Sequence, residues 1–448
     1  MEKIRPRVLS GFMELLPQEQ IRFNAFLEKL GSVYPLYGFT PLDTPLIEAS
    51  EILLAKGGGE TEKQIYRFVK GDSDLSLRFD LTVPLARYVA EHANDLAFPF
   101  RRYQIGKVYR GERAQRGRFR EFYQADIDVI GDGKLDIMND AEIPAIIYDV
   151  FSSLGLKDFV IRVNNRKILN GFFEMIGEKD RAGDIMRTVD KLEKIGPDKV
   201  ISLLLDLGVS EENASRITGF ISTSDDKLFP VLGELAGANE VFDAGLSELR
   251  AVCEGVAALG VPEDNFRVDL TIARGLDYYT GTVYETSLKK HPEIGSICSG
   301  GRYDNLAEHY TDRHLPGVGI SIGLTRLFYI LNEQGLLNPD FPSSPADVLI
   351  APMTENGEKP AEIAAGFRKA GIRTQLYTEK KKPKAKIGYA DKLGIPYVVF
   401  IGDDEIARGT VTLKNLLTGE QSEVTPSEAA ELIKSGLNEK SKNLPIRE

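Results

Sequence analysis

Apolar side chains at Phe23, Phe26, Leu27, Leu30 and Val33-Tyr34 recur at helical spacing, so the first predicted element is an amphipathic helix. Phe39–Ile47 then reads as a strand broken by Pro41 and Pro45, a pattern suited to a sheet edge or an interface. "QIYRF" and "LSLRFDLTVPLARYVA" predict a strand entering a helix, with Arg78, Asp80 and Thr82 on alternate strand positions. Residues 100–130 predict a long β-hairpin. Ile143, Ile146, Ile147, Val150, Phe151 and Leu154 mark a buried helix stripe, and "DFVIRVNNRK" a strand leaving into another helix. From about 175 to 262 the pattern is mostly helical, with polar breaks at "GPDK", "GVSEEN" and "STSDDK". Phe266–Ile272 alternates again, "TVY" resumes a strand at 282, and "GVGISIGLTRLFYIL" is a glycine-spaced strand entering a helix. "NPDFPSSPAD", residues 338–347, marks a boundary. Beyond it strands and helices alternate, which predicts a small α/β domain with a largely parallel sheet.

The totals narrow the class. A chain of 448 residues is too long for one ordinary core, so two or three domains are expected. No apolar run is long enough to span a membrane, and the N-terminus lacks a signal-type apolar core. Two cysteines, Cys253 and Cys298, cannot build a disulfide framework or a cysteine zinc site, which fits a reducing, cytoplasmic setting. The four histidines show no metal-ligand spacing, so no protein-built metal site is expected. A net charge of −11 argues against general nucleic-acid binding but leaves room for a local basic site.

Such a site is visible in the hairpin. Arg110, Arg113, Arg116, Arg118 and Arg120 crowd a short loop, and arginine suits bidentate phosphate recognition. On the return strand Phe122, Gln124, Asp126, Asp128 and Ile130 share one face, placing an amide and two carboxylates in a row. A charge run of this kind is otherwise a solvated ribbon. Arg326 falls in the first turn of a helix, where phosphate or an adenine face is favoured; a plain surface cap is the alternative. Gly300-Gly301 beside Tyr303 could be a mere bend. "ARGLDYYTGTVYE", residues 273–285, sets an arginine, an aspartate and two tyrosines between strands where a turn needs only its glycines.

Taken in order, the Pro45 segment, residues 100–130 and residues 317–331 resemble the three motifs of class II aminoacyl-tRNA synthetases. "RGLDYYTGTVYE" with "SGGRYDNL" is similar to the paired motifs of histidyl-tRNA synthetases, and "KLGIPYVVFIGDDE" resembles that family's anticodon-binding domain. The resemblance implies an α+β fold: a class II catalytic domain on an antiparallel sheet over residues 1–337, with the helical insert at about 175–262. An α/β anticodon-binding domain over 345–437 would follow. It implies that Arg274 meets the α-phosphate and the reacting carboxylate. Tyr278, Tyr279 and Tyr303 would line the histidine pocket, and Asp277 would hold the loop. Asp80, Thr82, Gln124 and Asp128 would meet the amino group and imidazole. Arg110 would grip the α-phosphate, Glu112 the adenine, and Arg118 and Arg326 the outer phosphates and base, with Arg113 and Arg120 as lesser members. Arg274, Arg110 and Gln124 are then the catalytic set. Asp80 and Asp128 stand where many bacterial members carry glutamate, and "KAKIGYAD" lacks a glutamine often found there.

The implied substrates are ATP, with Mg²⁺, L-histidine and tRNA(His), and the implied assembly is a homodimer. The carboxylate of histidine would attack the α-phosphorus of ATP and pyrophosphate would leave; a ribose hydroxyl of the tRNA would then attack the histidyl-adenylate carbonyl, with AMP as the leaving group. Such chemistry asks for positioning and charge, which arginines, carboxylates and tyrosines supply. The chief alternative is a synthetase-like, histidine-sensing regulatory subunit of ATP phosphoribosyltransferase. Such proteins usually lack the C-terminal domain and the ATP-binding arginines, and this chain has both. Lys380-Lys381-Lys382, Lys384 and Lys386 form a basic run that could face tRNA or only solvent.

Overall fold

The computed structural model describes residues 3–55, 60–113, 116–273, 278–339, 341, 343–355, 357–440 and 444–446. Two compact units are distinguished: Met1–Met13 with Lys29–Gln334, and Glu14–Glu28 with Gly335–Arg447.

In the first unit the strands are β1 (Thr40–Pro41), β2 (Ile47–Ala49), β3 (Arg67–Lys70), β4 (Ser73–Leu77), β5 (Phe100–Tyr109) and β6 (Glu121–Ile130). After them come β7 (Phe159–Asn165), β8 (Phe266–Val268), β9 (Thr282–Leu288), β10 (Ser296–Tyr303) and β11 (Gly317–Gly323). Eight of these form one sheet in the order β1-β5-β6-β11-β10-β9-β7-β8, and β2-β4-β3 form a smaller one. Every pairing from β5 to β7 is antiparallel, and only the outermost strands β1 and β8 add in parallel. The antiparallel class expected above is therefore the one found.

Register explains why the sheet carries a site. Arg102, Gln104 and Gly106 of β5 stand opposite Asp128, Asp126 and Gln124 of β6. Across β6 the same three meet Gly319, Ser321 and Gly323 of β11. Polar positions thus align in rows on one face, because period-two alternation in each strand is kept in register by the hairpin. Ala125, Ile127 and Val129, the alternate residues, are fully buried. The helix Met138–Leu154 buries Ile143, Ile146, Ile147, Val150 and Phe151, and Phe151 meets Phe159 of β7 edge-on at 5.3 Å. Each such side chain stabilises the fold by about 1.5–3 kcal/mol.

Three local expectations change. Arg78, Asp80 and Thr82 are not on a strand: β4 ends at Leu77, and the helix Thr82–His92 begins where the strand was expected to continue. Asp80 instead accepts from the backbone N–H of Val83 at 3.0 Å and caps that helix. Gly300 and Gly301 are not a bend but lie within β10. Phe266–Ile272 is a strand only as far as Val268, after which Asp269 turns the chain by accepting from the N–H and hydroxyl of Thr271.

The second unit contains β12 (Val348–Pro352), β13 (Thr374–Leu376), β14 (Tyr397–Ile401), β15 (Val411–Asn415) and β16 (Gln421–Val424), ordered β13-β12-β14-β15-β16. The helices Glu358–Lys369, Pro383–Lys392 and Pro426–Lys440 complete its α/β architecture. Its sheet is parallel at β13-β12-β14 but antiparallel at β15 and β16, so it is less parallel than the pattern suggested. The turn between those last strands uses Asn415, which accepts from the N–H of Leu417, and Gly419 at φ +78°. Among the described residues no helix is long and apolar enough to cross a membrane.

Candidate active site

The polar rows on β5, β6 and β11 converge with the segment after 277. Tyr303 donates its hydroxyl to Oδ1 of Asp128 at 2.6 Å. Nη2 of Arg102 lies 2.6 Å from Asp128 Oδ2 as a charge contact, while its hydrogen bond goes to the Leu81 carbonyl at 3.1 Å. Arg102 is wholly buried. Gln124 donates to the Ser321 hydroxyl at 2.6 Å. Tyr278 packs edge-on against Tyr279 at 5.0 Å and Tyr303 at 5.8 Å between ring centroids. The three tyrosines therefore pack together beside the carboxylates, and each lies close enough to feel the charge of Asp128.

Glycines make room for these groups. A Cβ at Gly319 would stand 2.3 Å from Asp128 Oδ1, one at Gly301 3.0 Å from the Tyr279 ring, and one at Gly317 2.5 Å from the Tyr303 ring. The glycine spacing of "GGRY" and "GVGISIG" is thus the negative of the pocket's side chains.

Arg110 leaves the end of β5 and is stacked between the rings of Phe79, at 4.4 Å, and Phe122, at 5.1 Å. Burial draws its pKa down, against the opposing charges of Asp80, Glu112 and Asp126. Beyond it Arg118 lies 3.6 Å from Glu112, and Arg326 feels the charges of both. Arg326 donates to the Ile294 carbonyl at 2.6 Å, and its buried Nε has no hydrogen-bond partner among the described residues. Arg120 donates to the carbonyls of Glu112 and Ser10, and Arg113 is exposed.

Electrostatics set the carboxylates apart. Burial pushes Asp126 up to about 7, against Arg102 and a hydrogen bond from Ser321. Asp128 is pushed up to about 6 by burial, opposed by Arg102 and Tyr303. Asp80 is also raised by burial, although the N–H groups of Val83 and Thr82 and the nearby Arg110 favour its charge.

Of the residues singled out in the sequence, Asp80, Gln124, Asp128, Tyr278, Tyr279, Tyr303 and Arg110 are brought together, with Thr82 beside Asp80. Glu112, Arg118 and Arg326 form the adjoining group. Arg274, Gly275 and Asp277 lie outside the described residues. Sequence reading missed Arg102, whose partner only the hairpin register reveals. It noted Asp126 in the row without giving it a place in the site. It also missed Arg302, which grips the buried Asp140 through Nε at 3.0 Å and Nη2 at 2.6 Å and so anchors the residue next to Tyr303. In the second unit Lys386 cannot join an exposed basic run: it is buried, donates to the Pro352 carbonyl and lies over the Tyr377 ring.

An antiparallel sheet with an arginine group at one end, Arg110 set between two rings, and a carboxylate–tyrosine cluster at its centre resembles the catalytic architecture of class II aminoacyl-tRNA synthetases. Residues 11–327 match the family model described as histidyl-tRNA synthetase, and residues 347–436 match an anticodon binding domain. The chain belongs to the histidyl-tRNA synthetase family. It is 55% identical over 434 residues to a histidine–tRNA ligase of Clostridium tetani, covering 96% of this chain and 99% of that one. A histidine–tRNA ligase of Xanthomonas oryzae is 49% identical over 457 residues, with 95% and 97% covered. The crystal structure of histidyl-tRNA synthetase from Nostoc sp. PCC 7120 superposes with a TM-score of 0.90 at 43% identity, covering 97% of this chain and all of that one.

Proposed function

We propose that this chain joins L-histidine to tRNA(His) at the expense of ATP, through a histidyl-adenylate. The observation that carries the reading is the joining of two halves in one sheet: a buried acceptor pocket walled by tyrosines, and an arginine group that opens from its end. Residues 1–337 are assigned to catalysis and 345–437 to the anticodon.

In this mechanism Asp80, Thr82, Gln124 and Asp128 bind histidine from the floor, and Tyr278, Tyr279 and Tyr303 enclose it. Tyr303 fixes the Asp128 carboxylate, so that the pocket presents a set acceptor to the imidazole. A pocket built on such hydrogen bonds rejects an amino acid lacking them by about 10⁴–10⁵. Arg110, set between the rings of Phe79 and Phe122, meets the carboxylate and α-phosphate, and the family resemblance assigns Arg274 to the same groups. Glu112, Arg118 and Arg326 take the adenine and outer phosphates. As the carboxylate attacks the α-phosphorus and pyrophosphate leaves, negative charge is carried by the phosphate oxygens, and fixed guanidiniums stabilise it without reorganisation. Mg²⁺ belongs to the same reading as the companion of ATP; among the described residues no three His, Cys, Asp or Glu side chains are grouped to hold a metal. A cytoplasmic homodimer belongs to the same reading, on the strength of the family resemblance.

The regulatory alternative is not favoured: the relatives at 49–55% identity are named as ligases, and the anticodon domain and the arginine group are both present. Pyrophosphate exchange into ATP, with each amino acid supplied separately, tests the first step. Exchange with histidine alone, followed by charging of tRNA(His), is expected. No exchange by folded protein that binds histidine would overturn the reading. Light scattering in solution tests the dimer.

A further inference from the structure

The proposed function leaves the first stretch of the chain without a role. Residues 3–13 read Lys-Ile-Arg-Pro-Arg-Val-Leu-Ser-Gly-Phe-Met: three cations and no acidic residue, in a chain of net charge −11. Residues 3–10 are exposed and belong to no helix or strand. Pro6 restricts Arg5 to extended backbone, so the charges are spread along an arm rather than bundled. Two contacts fix where the arm starts. The Gly11 carbonyl accepts from the backbone N–H of Arg120 at 2.7 Å, and the Ser10 carbonyl accepts from the Arg120 guanidinium at 3.4 Å. The Arg120 carbonyl in turn accepts from the N–H of Arg110 at 2.9 Å, across the arginine hairpin. The hairpin's own charges are partly spent, since Arg116 pairs with Glu333 at 2.7 Å and Arg118 lies 3.6 Å from Glu112. Lys3, Arg5 and Arg7 have no carboxylate partner among the described residues.

We propose that Lys3, Arg5 and Arg7 bind the phosphate backbone of the tRNA acceptor stem. The assignment rests on the ligase reading for the identity of that partner. In that reading Arg110 stands at the reacting carboxylate, and the terminal adenosine must come there to accept the histidyl group. The duplex behind the adenosine then passes the hairpin, where the arm begins. Ser10 is seven residues from Lys3, a reach of at most about 25 Å, which covers several phosphates but keeps the arm in that neighbourhood. Exposed cations without partners break no ion pair when they meet phosphate, and each one releases counter-ions from the nucleic acid. On an acidic protein a local run of positive charge also draws a polyanion to one place. Phosphate contacts orient a duplex without reading its bases. Lys3, Arg5 and Arg7 are therefore tRNA-binding residues that touch no reacting atom.

Binding of a tRNA(His) transcript to the full-length chain, measured across a salt series, tests this. Wild type is compared with the combined variant Lys3→Ala, Arg5→Ala and Arg7→Ala. Each phosphate contact contributes about 0.7–0.9 to the slope of log K against log salt, so the variant's slope should be shallower by about two. Its affinity at physiological salt should fall at least about tenfold. An RNA hairpin copying the acceptor stem alone should show the same change in slope, and one copying the anticodon stem should show none. Histidine-dependent pyrophosphate exchange, which needs no tRNA, should be unchanged. An equal slope in the two proteins, or a change seen only with the anticodon-stem hairpin, would overturn the assignment. A fall in exchange that matches the fall in affinity would also overturn it, since the arm would then act as a support for Arg120. Wild type that exchanges no pyrophosphate, with the acceptor-stem slopes still different, would sink the ligase reading and leave this contact standing.

Discussion

The phenol of Tyr303 and the carboxylate of Asp128 meet at 2.6 Å against two glycines of β11, and they could not do so if Gly317 or Gly319 carried a side chain. The contact ties the "GGRY" strand to the hairpin and leaves Asp128 with one oxygen on a phenol and the other on Arg102. Tyr303→Phe keeps the ring packing and removes only the donor. A hydrogen bond to a charged group contributes about 1.5–3 kcal/mol, so the KM for histidine should rise at least about tenfold. The KM for ATP should not follow. Histidine-dependent exchange kinetics read both, and equal shifts in the two constants would refute the assignment of Asp128 to the amino-acid side.

Much of this site was legible in the chain because its parts are local. The arginine loop, the alternation of Gln124, Asp126 and Asp128, and the paired tyrosines each sit within a dozen residues. What stayed hidden is non-local or ambiguous. Arg102 becomes the partner of Asp128 only through hairpin register. Arg302 and Asp140 are 162 positions apart, and nothing in either neighbourhood names the other. "LRFDLTVP" has strand composition, yet Pro84 fits the first turn of a helix and Asp80 supplies a cap, so tertiary packing decides against the propensity. β15 and β16 escape the pattern altogether; a short turn at Gly419 closes them into an antiparallel hairpin after the last strand that the pattern marks.

Gly319→Ala tests whether the glycines shape the pocket. The new Cβ would meet the Ile127 carbonyl and Asp128 Oδ1 at 2.3 Å each, and a central strand cannot retreat. Overpacking of this kind costs about 1–3 kcal/mol, and the displaced Asp128 should also abolish detectable histidine binding. Gly219→Ala is the control: among the described residues a Cβ there would meet nothing within 4 Å beyond its own turn of the helix Glu211–Ile221. It should stabilise by up to about 1 kcal/mol without touching exchange. A Gly319→Ala protein with wild-type Tm and histidine affinity would show that the close approach is not needed.

Asp140→Ala addresses the support behind Tyr303. Asp140 is fully buried and accepts from both Nε and Nη2 of Arg302, while Arg302 also donates to the Leu135 carbonyl at 3.0 Å. Removing one member of a buried pair leaves a stranded charge, at a cost of about 3–5 kcal/mol. The expected outcome is a clear fall in the urea midpoint and in Tm for the first unit. Replacement by asparagine, which keeps a hydrogen-bond acceptor, should recover part of the loss. Unchanged midpoints in Asp140→Ala would mean that the guanidinium finds water or another acceptor.

The pH dependence of stability follows from Asp126 and Asp128. Burial raises both, to about 7 and about 6, whereas an unfolded aspartate titrates near about 3.9. Between those limits the folded protein holds protons that the unfolded chain has released. The stability these groups contribute is therefore full below about pH 4 and is lost as pH rises through about 7. Asp269, which the Thr271 hydrogen bonds and Arg162 hold low, acts in the opposite sense, but its effect falls below this window. The ligand-free protein should accordingly lose Tm between pH 5 and pH 8, on the order of 2 °C for each kcal/mol in a unit of this size. Asp126→Asn should flatten that slope, because the group with the higher pKa no longer ionises. Calorimetric melts of the two proteins across the range decide it, and a variant that keeps the full wild-type slope would place the titration elsewhere.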